Sequence, residues 1–264
     1  MKKIFKAIIL SLGALLLALA PLATLARPAQ AATNPSSVAA IKKRGTLRVA
    51  VFGDLKPYGW VNQDGKRVGY DVYLARRLAK DLGVKVKFIQ VNANNRVDTL
   101  NANKADLVFA KPYMKVSVGV VSKKAKSVTK VSQLKGQKLI VTKGTTAEQY
   151  FTQKQKQVQL LKFDSKTQQF NALKNGRATA LADDNSYLYA WVKQHPKYTV
   201  GIKQLGASSY IAPGIKKGNT SLLKWTNREI TKLNKEGFFA KDYNQELKPY
   251  FGSEVKPSDI ILDK

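Results

Sequence analysis

Gly45-Thr46-Leu47-Arg48-Val49-Ala50-Val51 sets large apolar side chains at Leu47, Val49 and Val51, the period of a β-strand. Downstream, Asp71 stands where it would cap a helix that carries Val72, Ala75, Leu78, Ala79 and Leu82 on one side and closes at Gly83. Val84, Val86 and Phe88 return to period two. A short helix around Val97 and Leu100 follows, and residues 105–110 read as a buried strand. Regular alternation of strand and helix predicts an α/β fold, a largely parallel sheet with helices on its faces.

Beyond an extended stretch at 111–123 the same pattern restarts. Residues 139–142 form a strand that ends in Gly144-Thr145-Thr146, and Thr145 with Glu148 fits a capping box. A strand at 158–163 precedes a second box, Ser165 with Gln168. A strand at 178–182, a helix at 186–194 carrying Tyr187, Tyr189 and Trp191, and a strand at 200–205 follow. A second extended stretch, 210–215, leads to a helix predicted to turn Leu223, Thr226, Ile230 and Leu233 inward and to stop at Gly237. Two α/β units are expected, joined by extended crossings near 112–122 and 208–216. No long low-complexity linker separates them, so they should share a hinge. The expected boundaries are 45–113 with 214–252 for one lobe and 114–213 for the other, with a flexible N-terminal tail at 32–44 and a C-terminal tail at 253–264.

Composition narrows the chemistry. The 264 residues include 46 Lys+Arg against 17 Asp+Glu, a formal net charge of +29, with no cysteine and one histidine. The hydrophobic fraction, 44%, is that of a folded protein and not of a disordered polycation. Absence of cysteine removes disulfides, thiol nucleophiles, Cys-zinc sites and a lipid anchor on cysteine. His195, in Lys193-Gln194-His195-Pro196, reads as a surface residue. No P-loop, dinucleotide fingerprint, metal-binding string or placed acid pair is present. No cofactor, no metal and no enzymatic activity are expected. At the start, Lys2, Lys3 and Lys6 precede an apolar run at 8–20, and Ala29-Gln30-Ala31 supplies a small-x-small cut. Residues 1–31 read as a secretory signal, the run being too short to span a bilayer. Removal of its four cations leaves +25, so an exported, very basic chain is expected.

Three stretches carry candidate binding chemistry. At Lys143-Gly144-Thr145-Thr146, backbone N–H groups at a helix start and two hydroxyls suit a carboxylate or phosphate, or serve as an ordinary cap. Asp183-Asp184-Asn185 follows a strand at the carboxyl edge of a sheet, where ligands collect in open α/β folds; Asp184 could hold an ammonium, or start a helix. The turn Phe52-Gly53-Asp54-Leu55-Lys56-Pro57-Tyr58-Gly59-Trp60 could floor an apolar pocket or pack as a loop.

Taken together, Gly45-Thr46-Leu47-Arg48-Val49, Gly69-Tyr70-Asp71-Val72, Lys104-Ala105-Asp106-Leu107-Val108, Lys111-Pro112-Tyr113-Met114, Gly144-Thr145-Thr146-Ala147-Glu148 and Tyr250-Phe251-Gly252 resemble the bacterial family 3 solute-binding proteins. These are extracellular receptors of polar amino-acid ABC importers. Phe52-Gly53-Asp54, Asn95-Arg96-Val97 and Asp184-Asn185 are similar to the cysteine/cystine-binding branch. The resemblance implies a two-lobed periplasmic-binding-protein-like (type II) fold, a monomer that closes on a zwitterion and delivers it to a membrane permease. It implies that Thr145 and Thr146 take the ligand carboxylate, Asp184 its ammonium, and Phe52, Asp54 and Tyr58 the side-chain end. One departure stands out. Asp106-Leu107-Val108 runs directly into Phe109-Ala110-Lys111-Pro112-Tyr113, without the family's Thr-x-Thr-x-x-Arg segment, whose Arg clamps the ligand carboxylate. Arg96 and Lys111 are the cations that could replace it, and weakened affinity is expected. The charge suits attachment to an anionic cell-wall polymer, without specific nucleic-acid binding. A surface adhesion or wall-associated role on the same fold is the alternative.

Overall fold

The structure is a computed structural model and describes residues 34–111, 113–251 and 255–261. The leader expected at 1–31 lies outside the described residues. Helix α1 (Val38–Arg44) enters strand β1 (Thr46–Phe52), and a small antiparallel sheet of β2 (Asp54–Leu55), β3 (Gly59–Val61) and β4 (Arg67–Val68) follows. Helix α2 (Tyr70–Leu82), strand β5 (Lys85–Val91), helix α3 (Arg96–Asn101) and strand β6 (Leu107–Val108) complete a parallel sheet of order β5-β1-β6. Val72, Ala75, Leu78, Ala79 and Leu82 of α2 are all buried, as their spacing requires. Asp71 is not the cap. Gly69 takes that position at φ 113°, where a Cβ would lie 2.5 Å from the Tyr58 carbonyl, and Asp71 is buried in the first turn.

The second sheet has the order β11-β7-β10-β8-β9. Its strands are β7 (Met114–Lys123), β8 (Lys138–Thr142), β9 (Gln159–Phe163), β10 (Ala180–Asp184) and β11 (Tyr198–Ile211). Helices α4 (Thr146–Lys154), α5 (Lys166–Lys174) and α6 (Asn185–Lys193) alternate with them. Here β10, β8 and β9 are parallel, whereas β7 and β11 are antiparallel, so the expectation of a mostly parallel sheet holds only for the side of the sheet that ends at β9. The two crossings run side by side. Tyr113 N–H donates to the Ile211 carbonyl at 2.7 Å, and Val108 and Gly214 exchange backbone hydrogen bonds of 2.9 and 2.8 Å.

After Gly214 the chain returns to the first half as α7 (Thr220–Lys235) and α8 (Phe238–Asp242), which pack by α1 and α2, and then α9 (Lys248–Phe251) packs on α6 of the second half. The inward stripe of α7 is Leu222, Thr226, Glu229 and Leu233, while Leu223 is 47% exposed. The expected face slips by one residue at its start because Asn219 caps the helix and accepts from Leu222 N–H.

The flexible tail expected at 32–44 is corrected in its described part. Described residues 34–44 are tied down because Asp106, a carboxylate without solvent exposure, needs partners. Ser36 Oγ donates to it at 2.7 Å, and Arg44 and Arg48 pair with it at 2.6 and 2.7 Å. Ile41 of α1 is fully buried. At the other end Val255, Ile260 and Ile261 are buried around α10 (Pro257–Ile260), and Ile261 bridges Met114.

Candidate functional site

The carboxyl ends of β1, β6, β8 and β10 face one cleft of about 290 Å³. Phe52, Leu55, Arg96 and Val97 line it from the first sheet's side, Thr145, Thr146, Lys166 and Asp184 from the second, and Lys111 with Gly214 from the crossings. Of the residues singled out in the sequence, Phe52, Thr145, Thr146 and Asp184 therefore share one site. Asp54 and Tyr58 do not line it. The Asp54 carboxylate accepts from Thr167 N–H at 3.1 Å, tying the first half to the first turn of α5. Tyr58 is fully buried beneath the cleft, edge-on to the rings of Tyr70 and Tyr187.

The threonine turn is already partly satisfied by the chain. Thr145, the N-cap of α4, accepts from Glu148 N–H at 3.2 Å and donates to the Thr142 carbonyl at 2.6 Å. The Glu148 carboxylate accepts from Gly144 N–H at 2.7 Å, one residue earlier than a capping box requires, and pairs with Lys162 at 2.9 Å. Burial acts to raise the Glu148 carboxyl, but Lys162 and the Gly144 amide hold it below the usual range. Thr146 remains exposed to the cleft. Gly144, at φ 72°, passes so near the first half that a Cβ would meet the Ala93 carbonyl at 2.8 Å, and only glycine fits. Its carbonyl accepts from Arg96 Nη2 at 3.2 Å. Burial lowers the pKa of the Arg96 guanidinium, and Asp184 acts against that shift.

Two adjacent aspartates divide the work at the end of β10. Asp183 points inward, where Lys166 Nζ at 2.5 Å and Gln169 Nε2 at 2.6 Å saturate it. Burial would raise its pKa, but Lys166 and Lys111 keep it low, so it stays ionised. Asp184, the N-cap of α6 without a side-chain capping bond, turns its carboxylate to the cleft and pairs with Lys111 Nζ. Lys166 was not singled out in the sequence. Its signal was a cation in the first turn of a helix, against the dipole, which marks a buried acid close by. His195 stacks on Trp191 at 3.9 Å between ring centres, away from the cleft.

Asp184, Thr145 and Thr146 from one α/β half and Arg96 from the other thus line one cleft. A family model for bacterial extracellular solute-binding proteins, family 3, matches residues 47–249. The chain belongs to that family. It is a solute-binding protein on the two-lobed α/β fold of that family, and not an enzyme. The structure is similar to the solute receptor for L-cysteine of Neisseria gonorrhoeae, with 45% identity over 86% of this chain and 99% of that one, at a TM-score of 0.83. It is also similar to the cysteine-binding protein of Campylobacter jejuni, with 42% identity over the same shares and a TM-score of 0.84. Among curated sequences, the glutamine-binding protein of a Bacillus subtilis ABC transporter is 27% identical over 94% of this chain and 98% of its own length. Among the described residues no helix is long and apolar enough to cross a membrane, and no group of three or more metal-ligating side chains occurs.

Proposed function

We propose that this chain is the extracellular amino-acid-binding component of an ABC import system, with cysteine or cystine as its ligand. One observation carries the reading: the Asp184 carboxylate, the Arg96 guanidinium and Thr146 line one small cleft. A zwitterion needs an acidic and a basic seat a few ångströms apart, and charge-assisted hydrogen bonds at both ends fix its orientation. Asp184 takes the α-ammonium, Arg96 with the Thr146 amide and hydroxyl takes the carboxylate, and Phe52 and Leu55 meet the side chain. Thr145 acts as the cap that presents Thr146. Similarity to the two cysteine-binding proteins supports the choice of side chain. The lobes are 45–113 with 214–252, and 114–213, closing about the paired crossings, and the closed complex is what a membrane permease receives.

The short passage from β6 to β7 supports absence of the family's Thr/Arg segment. Two non-glycine residues in it, Lys111 and Tyr113, adopt φ of 60° and 65°, the mark of a connection with little slack. Arg96, reaching in from α3 and already engaged by the Gly144 carbonyl, replaces the missing Arg with a weaker grip on the carboxylate. A thermal-shift screen over the twenty amino acids and L-cystine tests the reading. L-Cysteine or L-cystine should give the largest rise in Tm, growing with the logarithm of ligand concentration. No rise with any of them would refute it.

A second reading rests on the surface. Residues 114–213 hold 17 Lys+Arg and four acids, and each of those acids is already ion-paired, Glu148 with Lys162, Asp164 with Lys143, Asp183 with Lys166 and Asp184 with Lys111. The remaining cations are free to meet an anionic wall polymer, which would keep an exported protein close to the cell surface.

A further inference from the structure

Lys111 is held in an uncommon pose. Its backbone sits at φ 60°, and its N–H donates to both oxygens of the Asp71 carboxylate at 3.1 and 3.2 Å. Asp71 belongs to the first turn of α2 and is itself fully buried, so it fixes the direction in which the lysine leaves the crossing. The side chain is 4% exposed. Its ammonium lies 5.4 Å from the centre of the Tyr58 ring and on the carboxylate of Asp184. A carboxylate on one side and an aromatic face on the other make a seat for a primary ammonium.

The Asp184 carboxylate of that seat is the one the proposed function gives to the ligand ammonium. We propose that Lys111 is a resident competitor: its ammonium occupies the α-ammonium subsite at Asp184, and an amino acid binds only by displacing it. The inference rests on the amino-acid-binding reading and adds a residue that sets affinity from within the chain. Displacement is feasible because the Asp184 side chain keeps 18% of its exposure, and the four-carbon lysine stem can swing along the cleft. The carboxylate end of the site does not depend on Lys111, since Arg96 and Thr146 stand on separate elements, α3 and α4. Removing the lysine charge therefore empties the competing cation from Asp184 and leaves the other seat intact.

The test is calorimetric titration of the wild-type protein, Lys111→Met and Lys111→Arg with L-cysteine under reductant, and with the most stabilising amino acid of the screen if that is another. Lys111→Met keeps the chain length and the backbone bond to Asp71, and circular dichroism checks its fold; Lys111→Gln serves if the Met variant is not folded. Lys111→Met should bind about tenfold more tightly or better, the scale of one charged partner. Lys111→Arg, which retains a cation, should stay within a few-fold of wild type. Equal or weaker binding by Lys111→Met, with wild type binding, would overturn the competitor and leave the amino-acid reading standing. Tightening by Lys111→Arg as large as by Lys111→Met would overturn it too. Failure of all variants to bind any amino acid would overturn the reading and the competitor with it.

Discussion

Asp183 and Asp184 are chain neighbours with different environments, one inside the second half and one on the cleft. The Asp183 side chain, 3% exposed, faces Lys166, 5% exposed, inside the second half. Removing one partner of a buried pair leaves the other uncompensated, typically at about 3–5 kcal/mol. Asp183→Asn should therefore lower unfolding stability by that order in a denaturant titration. Asp184 borders the cleft, its side chain 18% exposed, and pairs there with the buried Lys111. Asp184→Asn should weaken L-cysteine binding about 30-fold or more, the 2–5 kcal/mol of a lost charged partner. Binding spared in Asp184→Asn, or stability spared in Asp183→Asn, would contradict these roles. Sequence position could not make this distinction. Both residues follow the same strand, and which one turns inward depends on Lys166 and Gln169, 17 and 14 residues earlier in the chain.

At the scale of elements, local patterns were the readable part. The α2 stripe, its closing Gly83 at φ 71°, and the Thr145 and Ser165 caps follow from short-range chemistry and appear where the sequence put them. The missed features depend on distant partners. Helix α1 was read as part of a tail because nothing nearby in sequence shows that Asp106 would gather Ser36, Arg44 and Arg48. Asp71 looked like a cap, yet it serves the crossing 40 residues on by accepting from Lys111 N–H. This buried carboxyl gives the element a pH dependence. Burial pushes Asp71 up to about 7, against the pull of the Lys111 amide and ammonium. With its folded pKa above its unfolded value, near 4, the folded state holds the proton more tightly. Its contribution is then complete below about pH 4 and is lost as pH rises through about 7. Asp71→Asn should raise Tm over wild type at pH 8, with a gap that narrows steadily toward pH 5. A gap independent of pH would contradict the assignment.

For the whole molecule, the α/β class and the paired crossings were legible because periodicity is local and repeats twice. The cleft itself was only half legible. Asp54 with Thr167, 113 residues apart, and Lys111 with Asp184, 73 apart, are contacts that only the assembled chain creates. Net charge operates at this scale as well. If unpaired lysines hold the protein to an anionic wall polymer, washing intact cells with about 1 M salt, where the screening length falls to about 3 Å, should release it. Retention through that wash would argue for another anchor. The acidic and basic groups gathered in one cleft remain central, and a crystal structure of the complex with L-cysteine tests them most directly. The ligand ammonium should lie within about 3 Å of the Asp184 carboxylate, its carboxylate on Arg96 and Thr146, with Lys111 moved off Asp184. A bound ligand with its ammonium elsewhere and Lys111 still on Asp184 would contradict the account.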